Sequence, residues 1–420
     1  MATGMPVAFA FMIINVAGVA ILWGVTPGLR HLTLSFFDSL SSFLLVPVPL
    51  FILMGEVMFC SGMAPLLIET VDKWLGRLPG RLGLLAVSAG TLFSTLTGTS
   101  MASTAMLGSA LVPEMEKRGY KKPMSLGPIL GSGGLAIMIP PSALAVLLCA
   151  IGRISIGKTL IAIIIPGLLM ASLYAAYIII RSRLQPTIAP PYDVTLPPLS
   201  ERLIAMVRYI LPLGFIVFLV VGVIFVGFAT PSEAAATGAL GTIILAACYG
   251  RLNWQVLKKS FSSAIRVTIM VLTILIGAKA FGAILGYTGA TQGLNEFVLS
   301  LPLAPILVVI AMQIVILILG GFMDVVAIML ITLPVFVPVI TKLGYDPVWF
   351  AVIFLLNIEM ATTSPPFGLG LFVMKGVAPP GTTMGDIYRA ALPFLGCDLI
   401  AMALILAFPI LALWLPGLMR

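Results

Sequence analysis

Four short segments of this 420-residue chain hold the residues that could do chemistry. They are Thr97-Gly98-Thr99-Ser100, Gly131-Ser132-Gly133-Gly134 running to Ile139-Pro140-Pro141-Ser142, Gly320-Gly321-Phe322-Met323-Asp324, and Ala361-Thr362-Thr363-Ser364-Pro365-Pro366. Each interrupts a long apolar run. Proline removes an N–H and frees a backbone carbonyl. Freed carbonyls beside Ser and Thr hydroxyls make an oxygen-rich nest for a small hard cation such as Na⁺, and nearby helix N-termini favour an anionic substrate group. One Pro-Pro alone would read as a packing kink. Two copies, each with hydroxyls close by, point to ion binding. The first candidate sodium site comprises Thr97, Gly98, Thr99, Ser100, Gly134, Ile139, Pro140 and Ser142. The second comprises Gly320, Gly321, Asp324, Thr362, Thr363 and Ser364. Ser132, Gly133, Pro141, Glu359 and Pro365 are candidates to line a substrate cavity, while Gly133-Gly134 also permits close helix contact.

Charged residues within apolar runs are functional candidates by default. Asp324 leads, as a cation ligand or as an acceptor that stabilises its turn. Glu359 lies beside the fourth segment. For Glu56, Lys279 and Asp398 a structural pair is as good a reading as transport. Glu233, after Thr230-Pro231-Ser232, suits a helix start. The single histidine, His31, and the spacing of Cys60, Cys149, Cys248 and Cys397 offer no His-based metal site and no disulfide framework. A membrane hydrolase would need a catalytic pair, and Asp324 has no clear aspartate mate. The expectation is a chain without enzymatic activity and without a cofactor beyond Na⁺ as coupling ion.

The elements that must position these segments are membrane spans. The chain is 60% hydrophobic and 9% charged, against about a quarter charged in soluble domains. Runs of about twenty apolar residues recur throughout. The net charge of +8 fits Lys and Arg collecting in cytoplasmic loops rather than a nucleic-acid surface. Met1 to Gly24 reads as a retained first span rather than a signal peptide.

Sliding the chain along itself by 225 positions brings Pro6 onto Pro231, Pro113 onto Pro338, Gly119-Tyr120 onto Gly344-Tyr345, and Pro140-Pro141 onto Pro365-Pro366. Internal duplication is common among secondary transporters. The expected fold is an all-α integral membrane protein with two inverted repeats, at 1–182 and 231–420, joined by a linker with its own span at 183–230. Each repeat carries a re-entrant helical hairpin, Gly80 to Arg118 or Ile306 to Lys342, and a span broken at Pro-Pro. Two full spans per hairpin is the alternative, and the arms are short for it. Gly62 to Leu78 and Gly250 to Ser263 read as surface-lying arms, and Ile387 to Leu415 as a last span.

With non-crossing hairpins the chain crosses nine times. Seventeen of the 23 Lys and Arg then fall in one set of loops and five in the other, with Lys279 inside a span. The positive-inside rule places the larger set in the cytoplasm. The N-terminus is then cytoplasmic, the C-terminus periplasmic, and the halves inverted.

The start Gly4-Met5-Pro6-Val7-Ala8-Phe9 resembles that of the large membrane subunit of tripartite ATP-independent periplasmic (TRAP) transporters. So do Gly98-Thr99-Ser100, Pro113-Glu114-Met115, Ile139-Pro140-Pro141-Ser142, Ala229-Thr230-Pro231-Ser232-Glu233-Ala234-Ala235, Gly320 to Pro338, and Ser364-Pro365-Pro366-Phe367-Gly368. The ending, with Gly376-Val377-Ala378-Pro379-Pro380, resembles the branch labelled for mannitol or chloroaromatic compounds. The resemblance implies an elevator-type, Na⁺-driven uptake system of the bacterial inner membrane. It implies a small four-span membrane subunit, a periplasmic substrate-binding protein and an organic acid solute as partners. A stand-alone divalent-anion/sodium symporter is the rival reading. Two positions depart from the family pattern: Met101 where small residues are common, and Glu359.

Overall fold

The structure is a computed structural model describing residues 7–97, 100–192 and 196–419; the side chains of residues 64, 94–97, 294 and 299 are outside that description. Gly98 and Thr99 of the first candidate site therefore lie outside the described residues, as does the Thr97 side chain. Every regular element among the described residues is helical. In lipid this follows from the backbone: each N–H and C=O must be satisfied within the protein, and a helix does so within one segment.

Seven helices are long and apolar enough to cross a bilayer, and an eighth span arises if the pair Lys122–Met138 and Ala143–Gly152, bent by 47°, counts as one. The sequence reading had nine crossings. Val325–Lys342, read as a hairpin arm, has 18 residues and passes on length, whereas Val7–Trp23 and Pro347–Thr363, read as crossing, have 17. A helix of 18 residues is about 27 Å long, close to the ~30 Å of bilayer hydrocarbon. Length therefore does not separate a tilted arm from a span.

The helix bounds recur at one offset. Ser100–Lys117 matches Val325–Lys342, and Lys122–Met138 matches Pro347–Thr363, residue for residue at 225 positions. The peptide bonds Pro140-Pro141 and Pro365-Pro366 are both cis.

The helices sort into two packed groups. In one, which we term the frame, Val7–Trp23 lies on Val25–Leu40 and Trp254–Tyr287, and Pro47–Cys60 lies on Pro231–Cys248 and Trp254–Tyr287. Gly24, with φ of 81°, reverses the chain between the first two helices. Asn15 Nδ2 donates to the Gly277 carbonyl at 2.6 Å and ties the first helix to the long one. In the other group, the carrier, Arg81–Thr97 and Ser100–Lys117 pack on Lys122–Met138, and Pro305–Gly320 packs on Pro347–Thr363. Lys122–Met138 also lies on Pro347–Thr363 and Met384–Ala407, which joins the two hairpins into one body.

Three expectations change. Gly250 to Ser263 is no separate arm: from Trp254 it continues into a 34-residue helix ending at Tyr287. At about 51 Å that helix exceeds the ~40–45 Å of a whole bilayer, so its amphipathic first turns extend past the hydrocarbon. The last span ends at Ala407, where Phe408-Pro409 separates it from Ile410–Gly417. Gly131 to Gly134 do not break their helix, which runs unbroken from Lys122 to Met138. Packing overrides the roughly 1 kcal/mol per residue helix penalty of glycine: Phe394 covers Gly131, and Ser132 Cβ sits 2.5 Å from where a Gly90 Cβ would be.

Candidate functional site

The true irregular stretches are short. Ile139 to Ser142 separates Lys122–Met138 from Ala143–Gly152, and Ser364 to Gly368 separates Pro347–Thr363 from Leu369–Val377. Ser142 Oγ accepts the Ala145 N–H at 3.3 Å and starts the second piece. Thr362 and Thr363 belong to the helix end rather than to the break.

The carrier brings the first site and the fourth segment together through one side chain. Glu359 is 2% exposed. Ser100 Oγ, at the start of the second arm of hairpin one, donates to Glu359 Oε2 at 3.0 Å. Thr362 Oγ1 lies 3.4 Å from Glu359 Oε1 and 2.9 Å from the Glu359 carbonyl. The carboxylate rests on Gly134, where any Cβ would overlap it. Gly134 and Glu359 are register mates at the 225-residue offset. The two broken helices therefore cross at equivalent points, one supplying space and the other filling it. Gly133 likewise gives room to Thr104 Oγ1. Ser132 and Gly133 are packed against hairpin one and do not face an open cavity.

The second site gathers around the tip of hairpin two. Gly320 lies so close to Ala361 that no side chain fits between them. A cavity of about 10 Å³ sits there, lined by Gly320, Met323, Val325, Ile328, Ala361, Thr362 and Leu369. That is about the space one water needs, and a small bare cation is of similar size. Asp324 caps Val325–Lys342 by accepting the Val326 N–H at 3.1 Å. Asp324 thus stabilises the turn at the tip of hairpin two. Ser364 Oγ donates to the Ala361 carbonyl at 3.3 Å. Pro365 is exposed, whereas Pro140 and Pro141 are buried. Of the second candidate site only Gly320 and Thr362 line the small cavity, whose other walls are apolar. The hydroxyls, carbonyls and carboxylate around the tip are oxygen donors of the type a hard monovalent cation takes.

One polar contact escapes sequence reasoning; for another, at Asp398, a structural pair is one of two readings but the partner is not legible. Asp398 is buried and accepts a hydrogen bond from Tyr174. Asn357, beneath Glu359, donates to the Gln313 carbonyl at 2.6 Å and to Gln313 Oε1 at 2.9 Å. Asn357 is the register mate of Ser132, so the offset alone could have flagged it. At the foot of hairpin one, Arg81 donates to the carbonyls of Leu75 and Asp72 and to Tyr192 Oη. Burial there pushes the Tyr120 phenol up to about 12.

The family profile of the tripartite ATP-independent periplasmic transporter DctM component matches residues 1–411. The chain belongs to this family. It is a multi-pass membrane transport subunit and not an enzyme. This permease is 33% identical to the C4-dicarboxylate TRAP transporter large permease protein DctM of Pseudomonas aeruginosa, over 92% of the chain and 90% of that protein. It is 29% identical to the sialic acid TRAP transporter large permease protein SiaM of Vibrio cholerae, over 99% and 95%. The fold is similar to that of the YdaH transporter of Alcanivorax borkumensis, with a TM-score of 0.71 at 14% identity, covering 99% of this permease and all of that chain.

Proposed function

We propose that the permease is the sodium-coupled membrane subunit of a binding-protein-dependent importer of a small organic acid. It moves solute and ion by carrying the hairpin body past the frame, in the elevator manner. The observation that carries this reading is the meeting of Ser100, Gly134, Glu359 and Thr362 at the crossing of two broken helices. Irregular backbone at that depth survives only beside a polar site or deep in protein. Na⁺ at the two sites would supply positive charge for an anionic solute, since Arg81 is the only fully buried cation among the described residues and it sits at the foot of hairpin one. Membership of the family supports a small four-span membrane subunit and a periplasmic binding protein as partners, in the bacterial inner membrane. The cationic loops support a cytoplasmic N-terminus and a periplasmic C-terminus.

The test is uptake by proteoliposomes holding the complete complex, with the delivery protein and its bound solute outside. An inward Na⁺ gradient should drive accumulation, and Asp324→Ala or Ser364→Ala should raise the Na⁺ concentration for half-maximal uptake. Unchanged sodium activation in both variants removes the second site as drawn. Equal uptake without sodium removes the coupling.

A further inference from the structure

Away from the hairpin tips, a cleft of about 1290 Å³ opens between frame and carrier. The frame wall offers Lys279 and Gly282 of Trp254–Tyr287, with Asp38 and Ser41 near the end of Val25–Leu40. The carrier wall offers Arg153, which caps Ala143–Gly152 in the left-handed conformation at φ 54°, and Lys342 at the end of Val325–Lys342. Three cations therefore face one acid. None of the three forms an ion pair with a described carboxylate. Lys279 is half-buried in a membrane-length helix, where an unpaired ammonium is costly and a functional partner is the default expectation.

The fold does not demand this arrangement. The register mates of Lys279 and Gly282 are Met54 and Val57, both buried, and Met54 packs beside Gly238. The mate of Arg153 is Ala378. The mate of Lys342 is a cation, Lys117, but where Lys279 and Gly282 have their counterparts the other half is apolar and filled. On this side it is open, cationic and edged with serine hydroxyls.

We propose that the cleft is an oxyanion-binding vestibule, in which Lys279 from the frame and Arg153 and Lys342 from the carrier jointly hold one carboxylate- or phosphate-type group. A carboxylate of a solute and the phosphate of a lipid headgroup share that chemistry. The cleft is larger than the roughly 300–1,000 Å³ of ordinary ligand pockets, so the group is held with water around it. Because the cations come from both bodies, the bound anion ties the carrier to the frame in this position. The site stands whether or not sodium drives uptake, and its test needs no transport.

Gly282 faces open space, so Gly282→Cys places a reporter in the cleft. Cys60→Ser and Cys248→Ser remove the accessible native thiols, Cys149 and Cys397 being buried. The rate of maleimide labelling is measured in nanodiscs of zwitterionic lipid with succinate, with inorganic phosphate, or with sodium chloride at equal ionic strength, and separately in nanodiscs containing phosphatidylglycerol. Succinate or phosphate should slow labelling when the source is a free solute; phosphatidylglycerol alone should slow it when the source is lipid. Lys279→Ala and Arg153→Ala should each weaken that protection by about tenfold in concentration, as for one charge-assisted hydrogen bond. Absence of protection by all three anions, equal protection by chloride, or protection unchanged in Lys279→Ala overturns the proposal.

Discussion

The break at Ile139 to Ser142 and the break at Ser364 to Gly368 follow matching helices of equal length, yet one is buried throughout and the other opens at Pro365, Pro366 and Phe367. The frame differs between the halves as well. In the second half one helix runs unbroken from Trp254 to Tyr287; in the first its counterpart is cut into Val25–Leu40 and Pro47–Cys60. The cut falls at Ser41-Ser42, which line the large cleft. One plan thus occurs twice with different exposure at its matching points. Under the proposed elevator reading, such asymmetry is required in any single position of the carrier, because a carrier open on both sides at once would leak.

The comparison breaks most visibly if the halves are not inverted. Cysteines placed at Lys121 and at Lys342 should label from opposite faces of the membrane, an all-or-none difference with an impermeant maleimide in right-side-out and inverted vesicles. Same-face labelling ends the argument from the halves. Next in size is the pair Gly134 and Glu359. Gly134→Ala sets a methyl group into the Glu359 carboxylate, and overpacking of this kind costs about 1–3 kcal/mol. Uptake should fall by about tenfold or more, taking the middle of that range. The double variant Gly134→Ala with Glu359→Ala should recover folded, monodisperse protein. Failure of the second substitution to relieve the first would mean that the crossing does not depend on this contact.

The difference in exposure has its own measurement. Phe367 is 53% exposed and Ser142 is 0% exposed. Phe367→Cys should therefore react with a soluble maleimide far faster than Ser142→Cys, by about tenfold or more if opening of the buried break costs over about 1.4 kcal/mol. Equal rates would show that both breaks reach water.

What could be read from residues alone divides by physics. The Pro-Pro breaks were legible because two successive prolines remove two N–H donors, whereas single prolines such as Pro128 and Pro338 sit within unbroken helices. Helical spans were legible because lipid leaves no other choice for an apolar run. Gly131 to Gly134 misled, since glycine only lowers helix propensity, and the close approach of Thr104 and Glu359 that it permits is long-range. Val25–Leu40 was unread because its apolar residues are mixed with Arg30, His31 and Asp38, and what holds it is Gly28 seated against the Val19 carbonyl. The contact of Glu359 with Ser100 joins residues 259 apart in sequence. Nothing local announces it, although a charge in an apolar helix marked Glu359 as worth attention.

The smallest effect lies where the frame helices begin. Gly28 and Asn253 are register mates, and each solves a different problem. At Gly28 the backbone approaches Val19 so closely that no Cβ fits. At Asn253 there is room, and the side chain accepts the Val256 N–H at 2.8 Å to cap the 34-residue helix. Asn253→Ala should cost about 1 kcal/mol, the usual loss for an N-cap, and should fray only the amphipathic first turns that extend past the bilayer. Amide exchange would show this as faster exchange over Trp254 to Lys258, with the protection of Val271 to Ala280 unchanged. If Asn253→Ala instead loosened the buried stretch beside Lys279, the two ends of the helix would be coupled. The long helix would then be a lever between its own start and the cleft rather than a fixed post of the frame.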